Sequence, residues 1–295
     1  MRNVHLKIGV IGSDRKEWHI SRLLKELEKR GAEAYLLPIT KLQARIGGTP
    51  RVSVRGFGVD DYDAVIVRRV PGGTAEQVFY RMDALRRLED MGVTVINPAR
   101  SIEKAVDKYY TSALLEDAGI NTPRTIVTES FVEAMKAFNE LGGDVVVKPL
   151  FGSLGMGITR VTSEDIAYRI FRALEMTKSI YYLQEFIPHG GRDIRVFTIG
   201  EQVVASMQRV SDDWKTNISS GGKAKPYTPS DEAKEMSLKA SEKLGLMYTG
   251  VDIIETEDKS YVIELNSTPG WEGLQSVTEL DITEALIDHV LMKLR

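Results

Sequence analysis

The chain has 295 residues, of which 42% are hydrophobic and 27% charged, and its formal net charge at pH 7 is −3. This length predicts two or three domains, and this charge gives no electrostatic basis for nucleic-acid binding. The chain contains no cysteine, which excludes disulfides, thiolate metal sites and a cysteine nucleophile. No segment has the apolar length of a signal-peptide core or a membrane span, so we expect a cytoplasmic protein without a membrane partner.

The first third of the chain alternates between strand and helix patterns. Short apolar runs at 6–11 and 64–67 predict buried strands, and apolar residues recur at helical spacing within 20–27 and 78–85. Alternation of this kind is typical of a parallel sheet. We therefore predict a small α/β domain over residues 1–97.

The rest of the chain mixes helices with antiparallel strand patterns. The spacing predicts one helix over 101–118 and a strand hairpin over 193–209 that turns at Gly200. Apolar residues at helical spacing predict further helices over 233–244 and 282–290. The combination indicates α+β units after the first domain.

The segment Gly250–Gly270 reads as two apolar strands joined by a polar turn centred on Asp258. In that register Asp252 lies opposite Glu264, and Asn266 shares a face with Glu264 because strand side chains alternate. Close carboxylates repel each other, and a hard cation with oxygen ligands, such as magnesium, removes the repulsion. The alternative interpretation is a solvated hairpin face.

Lys148 ends an apolar strand and is followed by the glycine-rich segment GSLGMG at 152–157. Glycines let a backbone approach a ligand closely and direct N–H groups at anions, and Ser153 adds a hydroxyl. The segment is neither a Walker A loop nor a GxGxxG fingerprint. A plain hairpin loop is the alternative, but lysine and loop together favour phosphate binding.

Four other polar groups have a structural and a functional interpretation. Lys108 lies in a helical pattern, where a solvated lysine is the default. Asp193, Arg195 and Arg209 lie in the predicted hairpin, either as an exposed salt bridge or as arginines facing a polyphosphate. The four histidines show no metal spacing, and we interpret them as structural or surface residues.

In this order, these segments resemble the ATP-grasp fold and, within it, the RimK-type glutamate ligases. The motifs that carry the resemblance are DKYYTSALLEDAGI from 107, VVVKPLFGSLGMGI from 145, LQEFIP from 183, RDIRVFTIG from 192, TNISSGG from 216, and GVDII followed by IELNSTPGWEGL from 263. The resemblance implies a Rossmann-like pre-ATP-grasp domain (1–97), a central subdomain (98–187) and a C-terminal subdomain (188–295).

The resemblance also implies a role for each site residue. ATP would be a substrate, and magnesium, with Mn²⁺ as a substitute ion, would be held by Asp252, Glu264 and Asn266. Arg195 and Arg209 would be the catalytic arginines that stabilise the transferring phosphate. The implied ATP-binding residues are Lys108, Lys148, Gly152, Ser153, Gly155, Gly157, Gln184, Glu185, Phe186, Ile187, Asp193, Lys215, Thr216 and Asn217, with 184–187 beside adenine and Asp193 at the ribose.

The implied reaction joins L-glutamate to a carboxylate acceptor through an acyl phosphate, which needs no nucleophilic side chain. The segments SDRKEWHI, PITKL and RRVPGGTAEQ look most similar to methanogen enzymes that add glutamate to tetrahydromethanopterin. Ligases acting on the deazaflavin coenzyme, on ribosomal protein or on an amino-group carrier protein are the rivals. Ser219 and Ser220 replace the His-Arg pair of the ribosomal-protein-modifying members, which leaves the acceptor contacts open.

Two hypotheses of other classes remain at this stage. One is a non-catalytic nucleotide-binding regulator on the same scaffold, although such a protein should have lost a metal ligand or a phosphate lysine. The other is a kinase that stops at phosphate transfer. The family resemblance further implies a homodimer or homotetramer.

Overall fold

A computed structural model describes residues 6–152, 156–218 and 221–294. The strands are β1 (Lys7–Ile11), β2 (Glu33–Leu37), β3 (Leu42–Ala44), β4 (Val52–Val54), β5 (Phe57–Gly58), β6 (Ala64–Val67), β7 (Thr94–Ile96), β8 (Thr125–Thr128), β9 (Val145–Lys148), β10 (Thr159–Val161), β11 (Tyr181–Glu185), β12 (Arg192–Ile199), β13 (Gln202–Val210), β14 (Lys223–Pro226), β15 (Tyr248–Glu255) and β16 (Ser260–Asn266). The α-helices are α1 (Trp18–Lys29), α2 (Ala75–Asp90), α3 (Ala99–Val106), α4 (Lys108–Asp117), α5 (Phe131–Glu140), α6 (Glu164–Met176), α7 (Asp231–Leu244), α8 (Glu272–Gln275) and α9 (Ile282–Lys293).

Three larger sheets organise these elements. The N-terminal sheet has the strand order β2-β1-β6-β7, and all its pairs are parallel, which confirms the parallel sheet predicted from the alternating pattern. The central sheet, β10-β9-β11-β8, and the C-terminal sheet, β14-β13-β12-β15-β16, are antiparallel. The mixed α/β and α+β character expected from the sequence is therefore present, and β3, β4 and β5 form a small additional sheet.

The prediction of one helix over 101–118 is wrong, because the structure has α3 and α4 with a break at Asp107. The backbone of Asp107 is extended (φ −81°, ψ 100°), and its side chain accepts a hydrogen bond from the N–H of Tyr110. An aspartate in that conformation caps the helix that follows it. Lys108 is therefore the first residue of α4 and not a mid-helix residue.

The carboxyl edge of the N-terminal sheet is fastened to the C-terminal sheet by a buried amide. Asn97, which is fully buried, donates from Nδ2 to the carbonyls of Tyr248 (2.8 Å) and Ser267 (2.6 Å). Its Oδ1 accepts from the N–H groups of Met247 (2.7 Å) and Tyr248 (3.2 Å). These four bonds use the whole hydrogen-bonding capacity of the side chain, so the edge is held in a defined position against the start of β15.

Apolar packing joins the same two regions. Helices α1 and α9 pack against each other, and their buried faces share one core with the inner faces of β1, β6, β12 and β13. Trp271, which is fully buried, lies in this core beside Phe197. Of the helices in the described ranges, none combines the length and apolar character that a bilayer crossing requires.

Candidate active site

A cleft of roughly 760 Å³, counted with its open mouth, is bordered by the central and C-terminal sheets. Twelve of the residues singled out from the sequence line it: Lys148, Gln184, Glu185, Phe186, Ile187, Asp193, Arg209, Lys215, Thr216, Asn217, Asp252 and Glu264. Five lie outside its lining: Lys108, Gly152, Gly157, Arg195 and Asn266. Ser153, Gly155, Ser219 and Ser220 lie outside the described residues.

The hairpin of β15 and β16 has the predicted pairing. Asp252 lies opposite Glu264, and Gly250 lies opposite Asn266. The register shifts next to Asp252, so that Ile263 is an extra residue on β16. Such a bulge turns two consecutive side chains toward one side, and Ile263 and Glu264 both line the cleft. Glu264 therefore faces the cleft, and it forms no ion pair with any described residue.

The arginines of β12 and β13 form a buried network with two aspartates. Arg195 donates from Nε and Nη2 to the two carboxylate oxygens of Asp252. Arg209 donates to both oxygens of Asp193 and also to Asp252, at 3.0 Å from Nη2 to Oδ2. Only 4% of Arg209 and 3% of Asp252 are exposed. The predicted alternative of an exposed salt bridge between Asp193 and Arg195 is therefore wrong in both its partners and its exposure.

This network controls the charges of its members. Burial by itself raises the pKa of the Asp252 carboxyl, but the adjacent guanidinium groups of Arg195 and Arg209 hold it below its ordinary value. Burial by itself lowers the pKa of Arg209, and the carboxylates of Asp252 and Asp193 raise it above its ordinary value. Asp252 and Arg209 are therefore both ionised at neutral pH, and each lies beside side chains of the opposite charge type inside the protein.

Only oxygen donors would surround a cation at the predicted metal site. Asn266 donates its Nδ2 to the carbonyl of Gly250 at 3.4 Å, which leaves its Oδ1 as an acceptor. Glu264 offers a carboxylate that no described cation pairs with. Both oxygens of Asp252 are occupied by arginines, and no group of three or more His, Cys, Asp and Glu side chains suited to a metal occurs among the residues described. The carboxylate of Glu264 and the amide oxygen of Asn266 fit a hard cation such as magnesium, whereas Asp252 would have to share its carboxylate with Arg195 and Arg209. These metal roles stay predictions.

Lys148 is buried at the wall of the cleft, with 8% of its surface exposed. Its Nζ donates to Oε1 of Gln184 at 2.6 Å, and Gln184 is oriented by a bond from its Nε2 to the Thr125 hydroxyl at 3.0 Å. Burial lowers the pKa of Lys148 to about 8, and the carboxylate of Glu264 partly opposes that shift. A buried ammonium with one neutral partner is suited to an anionic ligand, because such a ligand would offset its desolvation.

Lys108 approaches the same region from α4. Its Nζ donates to the carbonyl of Gly152 at 3.0 Å, and burial lowers its pKa while Glu264 acts in the opposite direction. Lys108 is therefore half-buried and bonded to the protein, rather than the solvated lysine of the default interpretation. Gly157, at the far end of the loop, has φ +75°, a conformation that favours glycine. Lys108 thus ties α4 to the beginning of the glycine-rich segment.

The strip 184–187 forms one side of the cleft. The N–H groups of Glu185 and Phe186 already donate to the carbonyls of Arg124 (2.9 Å) and Asp144 (3.1 Å), so a bound base would have to use other groups of the strip. The guanidinium of Arg160 stacks on the ring of Phe186 at 3.5 Å from its centroid. These contacts position the strip against β9 and the start of the central sheet.

Several cleft residues were not among the site residues predicted from the sequence. Trp214 packs edge-on against Phe186, with ring centroids 6.2 Å apart, and so connects the run 215–217 to the adenine strip. His189, interpreted as structural or superficial, lines the cleft, and burial lowers its pKa. Alternation along β9 and β15 could have identified Val146 and Ile254, which lie two positions from Lys148 and Asp252.

Comparison with known proteins covers nearly the whole chain. Residues 105–290 match the RimK-like ATP-grasp domain, and residues 6–102 match the RimK pre-ATP-grasp domain. The tetrahydromethanopterin:alpha-L-glutamate ligase of Methanococcus maripaludis is 34% identical over 97% of this chain and 98% of its own length. A probable alpha-L-glutamate ligase of Rhodopirellula baltica is 30% identical over 97% of this chain and 71% of its own length.

Solved structures agree with the fold. The ATP-grasp ligase PsnB, complexed with a minimal precursor, Mg and ADP, superposes with a TM-score of 0.75 at 24% identity, covering 97% of this chain and 98% of its own. A RimK domain ATP-grasp protein from Sphaerobacter thermophilus gives a TM-score of 0.76 at 23% identity, covering 96% and 98% of the two chains. The predicted ATP-grasp fold with an N-terminal pre-ATP-grasp domain is thereby confirmed.

Proposed function

The chain belongs to the RimK-like ATP-grasp family, and from that premise we propose that it is an ATP-dependent ligase that joins L-glutamate to an acceptor carboxylate. One observation carries the proposal most directly. The buried ammonium of Lys148 and the unpaired carboxylate of Glu264 line the same cleft. A polyphosphate accompanied by a divalent cation complements both charges at once.

The reaction has two steps whose atoms balance without a covalent enzyme intermediate. An oxygen of the acceptor carboxylate attacks the γ-phosphorus of ATP, ADP leaves, and an acyl phosphate forms. The amino group of glutamate then attacks the acyl carbon and loses a proton, and inorganic phosphate leaves as the amide forms. Both steps depend mainly on positioning and on stabilising phosphoryl charge.

Each group of site residues has its own role in these two steps. Lys108 and Lys148 contact the polyphosphate, and Arg195 and Arg209 stabilise the negative oxygens of the transferring group. Asp252, Glu264 and Asn266 would hold magnesium, with Mn²⁺ as a substitute, and the bound ion would act as a Lewis acid on phosphoryl oxygens. The remaining assigned contacts are the strip 184–187 with adenine, Asp193 with the ribose, Lys215, Thr216 and Asn217 with the nucleotide, and Gly152, Ser153, Gly155 and Gly157 with the phosphates.

We propose tetrahydromethanopterin as the acceptor, because ligases of three methanogens named for that acceptor are 31% to 34% identical to this chain over 96% or more of its length. The test measures phosphate release from ATP with glutamate and tetrahydromethanopterin, followed by mass spectrometry. The expected product is an amide that carries one glutamate or more.

Two other outcomes separate the parts of this proposal. Amide formation on the deazaflavin coenzyme, ribosomal protein or an amino-group carrier protein, with none on the pterin, would refute the acceptor and leave the ligase. A phosphorylated acceptor with no amide, even with glutamate supplied, would refute the ligase and leave a kinase. The division at residues 97 and 187, a homodimer or homotetramer, and a cytoplasmic location stay predictions.

A further inference from the structure

Arg68 is a buried cation without a counter-ion. It directly follows β6, its backbone N–H donates to the carbonyl of Ile11 at 3.0 Å, and 8% of the residue is exposed. It forms no ion pair with any described residue, and its buried Nε has no hydrogen-bond partner there. Because a buried charge is costly unless it is paired, an arginine in this state indicates a missing anion.

The surroundings hold the guanidinium in place without neutralising it. Its Nη1 donates to the hydroxyl of Tyr248 at 3.2 Å, and that hydroxyl donates in turn to the carbonyl of Val67 at 3.1 Å. The guanidinium carbon lies 4.6 Å from the centroid of the Trp271 ring. A hydroxyl and an aromatic face orient an arginine, but they leave its positive charge available for a ligand.

The neighbouring His19 and the carboxylate bound to it, Glu17, are engaged with each other and not with Arg68. His19 accepts the backbone N–H of Trp271 at its Nε2, 2.9 Å away, and its Nδ1 lies 2.6 Å from Oε1 of Glu17. The proton is therefore on Nδ1, and burial together with the charge of Arg68 lowers the pKa of His19. Glu17 is thereby bound to the imidazole, and His19 is neutral near pH 7.

The position of Arg68 in the sheet is one where ligands bind. In the order β2-β1-β6-β7, the chain passes from β1 to β2 on one side and β6 lies on the other. The carboxyl ends of β1 and β6 therefore flank a topological switch point, the usual ligand crevice of parallel sheets. Arg68 occupies this place.

The same arginine lies at one end of the strand face that carries the candidate metal ligands. Tyr248, Gly250 and Asp252 alternate onto one face of β15, and Arg195 packs over Gly250, where a Cβ would lie 2.9 Å from its Cδ. Four residues of strand separate Tyr248 from Asp252 by about 13 Å. The Tyr248 hydroxyl that binds Arg68 therefore belongs to the same face of β15 as Asp252 and the overlying Arg195.

We propose that Arg68 binds a carboxylate of the ligase's substrates and so fixes the substrate that lies along this face. The inference rests on the proposed function for the identity of the substrates. A guanidinium matches a carboxylate through two parallel N–H···O bonds, which would provide Nε with its missing acceptor. The carboxylate belongs either to glutamate or to the acceptor, and separate titrations distinguish the two.

The test compares wild type with Arg68→Met, which keeps a long apolar stem over Trp271 and removes the charge. Protein loaded with ADP and magnesium is titrated calorimetrically with L-glutamate and, separately, with tetrahydromethanopterin. We expect the affinity for one of the two to fall about 30-fold or more, while the affinity for ATP stays within twofold. The control is Arg100→Met, since Arg100 is exposed on α3 and should alter neither titration.

Unchanged affinities for both ligands in folded Arg68→Met would overturn the proposal, as would a wild-type protein that binds neither. If Arg68→Met does not fold, Arg68→Lys retains the charge but not the paired donors, and a weaker loss for the same ligand is expected. Amide formation by wild type is measured separately. If wild type forms the amide and Arg68→Met binds both ligands as wild type does, the Arg68 site is refuted and the ligase stands. If Arg68→Met weakens binding but wild type forms no amide, the proposed reaction is refuted and the Arg68 site stands.

Discussion

The cleft and the carboxyl edge of the N-terminal sheet each bury an arginine, and the two arginines are satisfied in opposite ways. Arg209 is 4% exposed and bonds to the carboxylates of Asp193 and Asp252. Arg68 is 8% exposed and has a hydroxyl and an indole face as neighbours, with its Nε unpartnered in the described structure. The first arginine belongs to a closed network of charges, and the second to an incomplete one.

Because of this difference, removing each arginine should affect the stability of the fold differently. Removing one member of a buried, compensated network leaves its partners as isolated charges, which strongly destabilises a fold. Removing a buried charge that has no counter-ion also removes the cost of its desolvation. Stability measurements should therefore distinguish the two arginines even before activity is assayed.

The largest expected effect is on stability, for Arg209→Met. This change leaves Asp193 without its cation and Asp252 with Arg195 alone, and we expect the free energy of unfolding to fall by about 3–5 kcal/mol. Urea denaturation provides the measurement. Adding Asp193→Asn should restore part of the loss because it removes the isolated charge, and a double variant less stable than Arg209→Met would contradict the compensation argument.

The next effect concerns turnover in the cleft. Glu264→Gln removes a carboxylate that faces the cleft without an ion pair, so the free energy of unfolding should change by less than about 1 kcal/mol. Ligase turnover should fall about 100-fold, because a negative ligand of the phosphate-bound cation is lost. The matched control is Glu257→Gln in the exposed turn of the same hairpin. Near-normal turnover in Glu264→Gln across a magnesium titration would refute the metal assignment.

A smaller effect follows from Lys148, whose pKa burial lowers to about 8. ATP would raise that pKa, so above pH 8 the neutral lysine must take up a proton when the nucleotide binds. The affinity for ATP should therefore fall as the pH rises from 8 to 10, by up to about tenfold per unit. Calorimetry in buffers of different ionisation enthalpy measures the proton.

Two variants complete this test. In Lys148→Met the affinity should be weaker and its dependence on pH in this range much shallower. Lys25→Met, at an exposed position on α1, should retain the wild-type profile. A profile that is the same for Lys148→Met and wild type would show that Lys148 is not the phosphate contact.

The smallest expected effect is the stability change of Arg68→Met. The variant loses the cation–π attraction to Trp271 and the hydrogen bond to the Tyr248 hydroxyl, but it no longer buries an unpaired charge. Each of these opposing contributions is about 1–2 kcal/mol. We expect a net change in the free energy of unfolding below about 1 kcal/mol. A loss as large as that of Arg209→Met would indicate that Arg68 is a structural residue.

Local pattern was sufficient to predict the parts of the site that lie on neighbouring strands. Asp252 and Glu264 could be paired from the turn between them, because alternation and turn position together set the register of a hairpin. Lys148 could be identified because it ends an apolar strand just before a glycine-rich segment. The motifs of residues 107–274 indicated the ATP-grasp fold for the same reason, since each motif is local and their order is preserved.

Two local irregularities were hidden by regular patterns, and one feature depended on distant residues. The break at Asp107 rests on a local cap, yet the helical pattern of the whole segment concealed it. The bulge that turns Ile263 and Glu264 together into the cleft left no mark in the alternating pattern. The partners of Asp252, 57 and 43 residues away, follow from strand order in the C-terminal sheet rather than from spacing.

Arg68 shows most directly what the sequence alone does not determine. The sequence contains the pair Arg68-Arg69 and predicts that a strand ends just before it, but the charges of the two residues are equivalent there. Only the packing of the N-terminal sheet against Tyr248 and Trp271 buries Arg68 and leaves Arg69 exposed. The sequence by itself determined which chemical groups this protein has and how they alternate along each strand. The burial of Arg68, which sets the free energy of its charge, was decided by contacts with residues about 180 to 200 positions away.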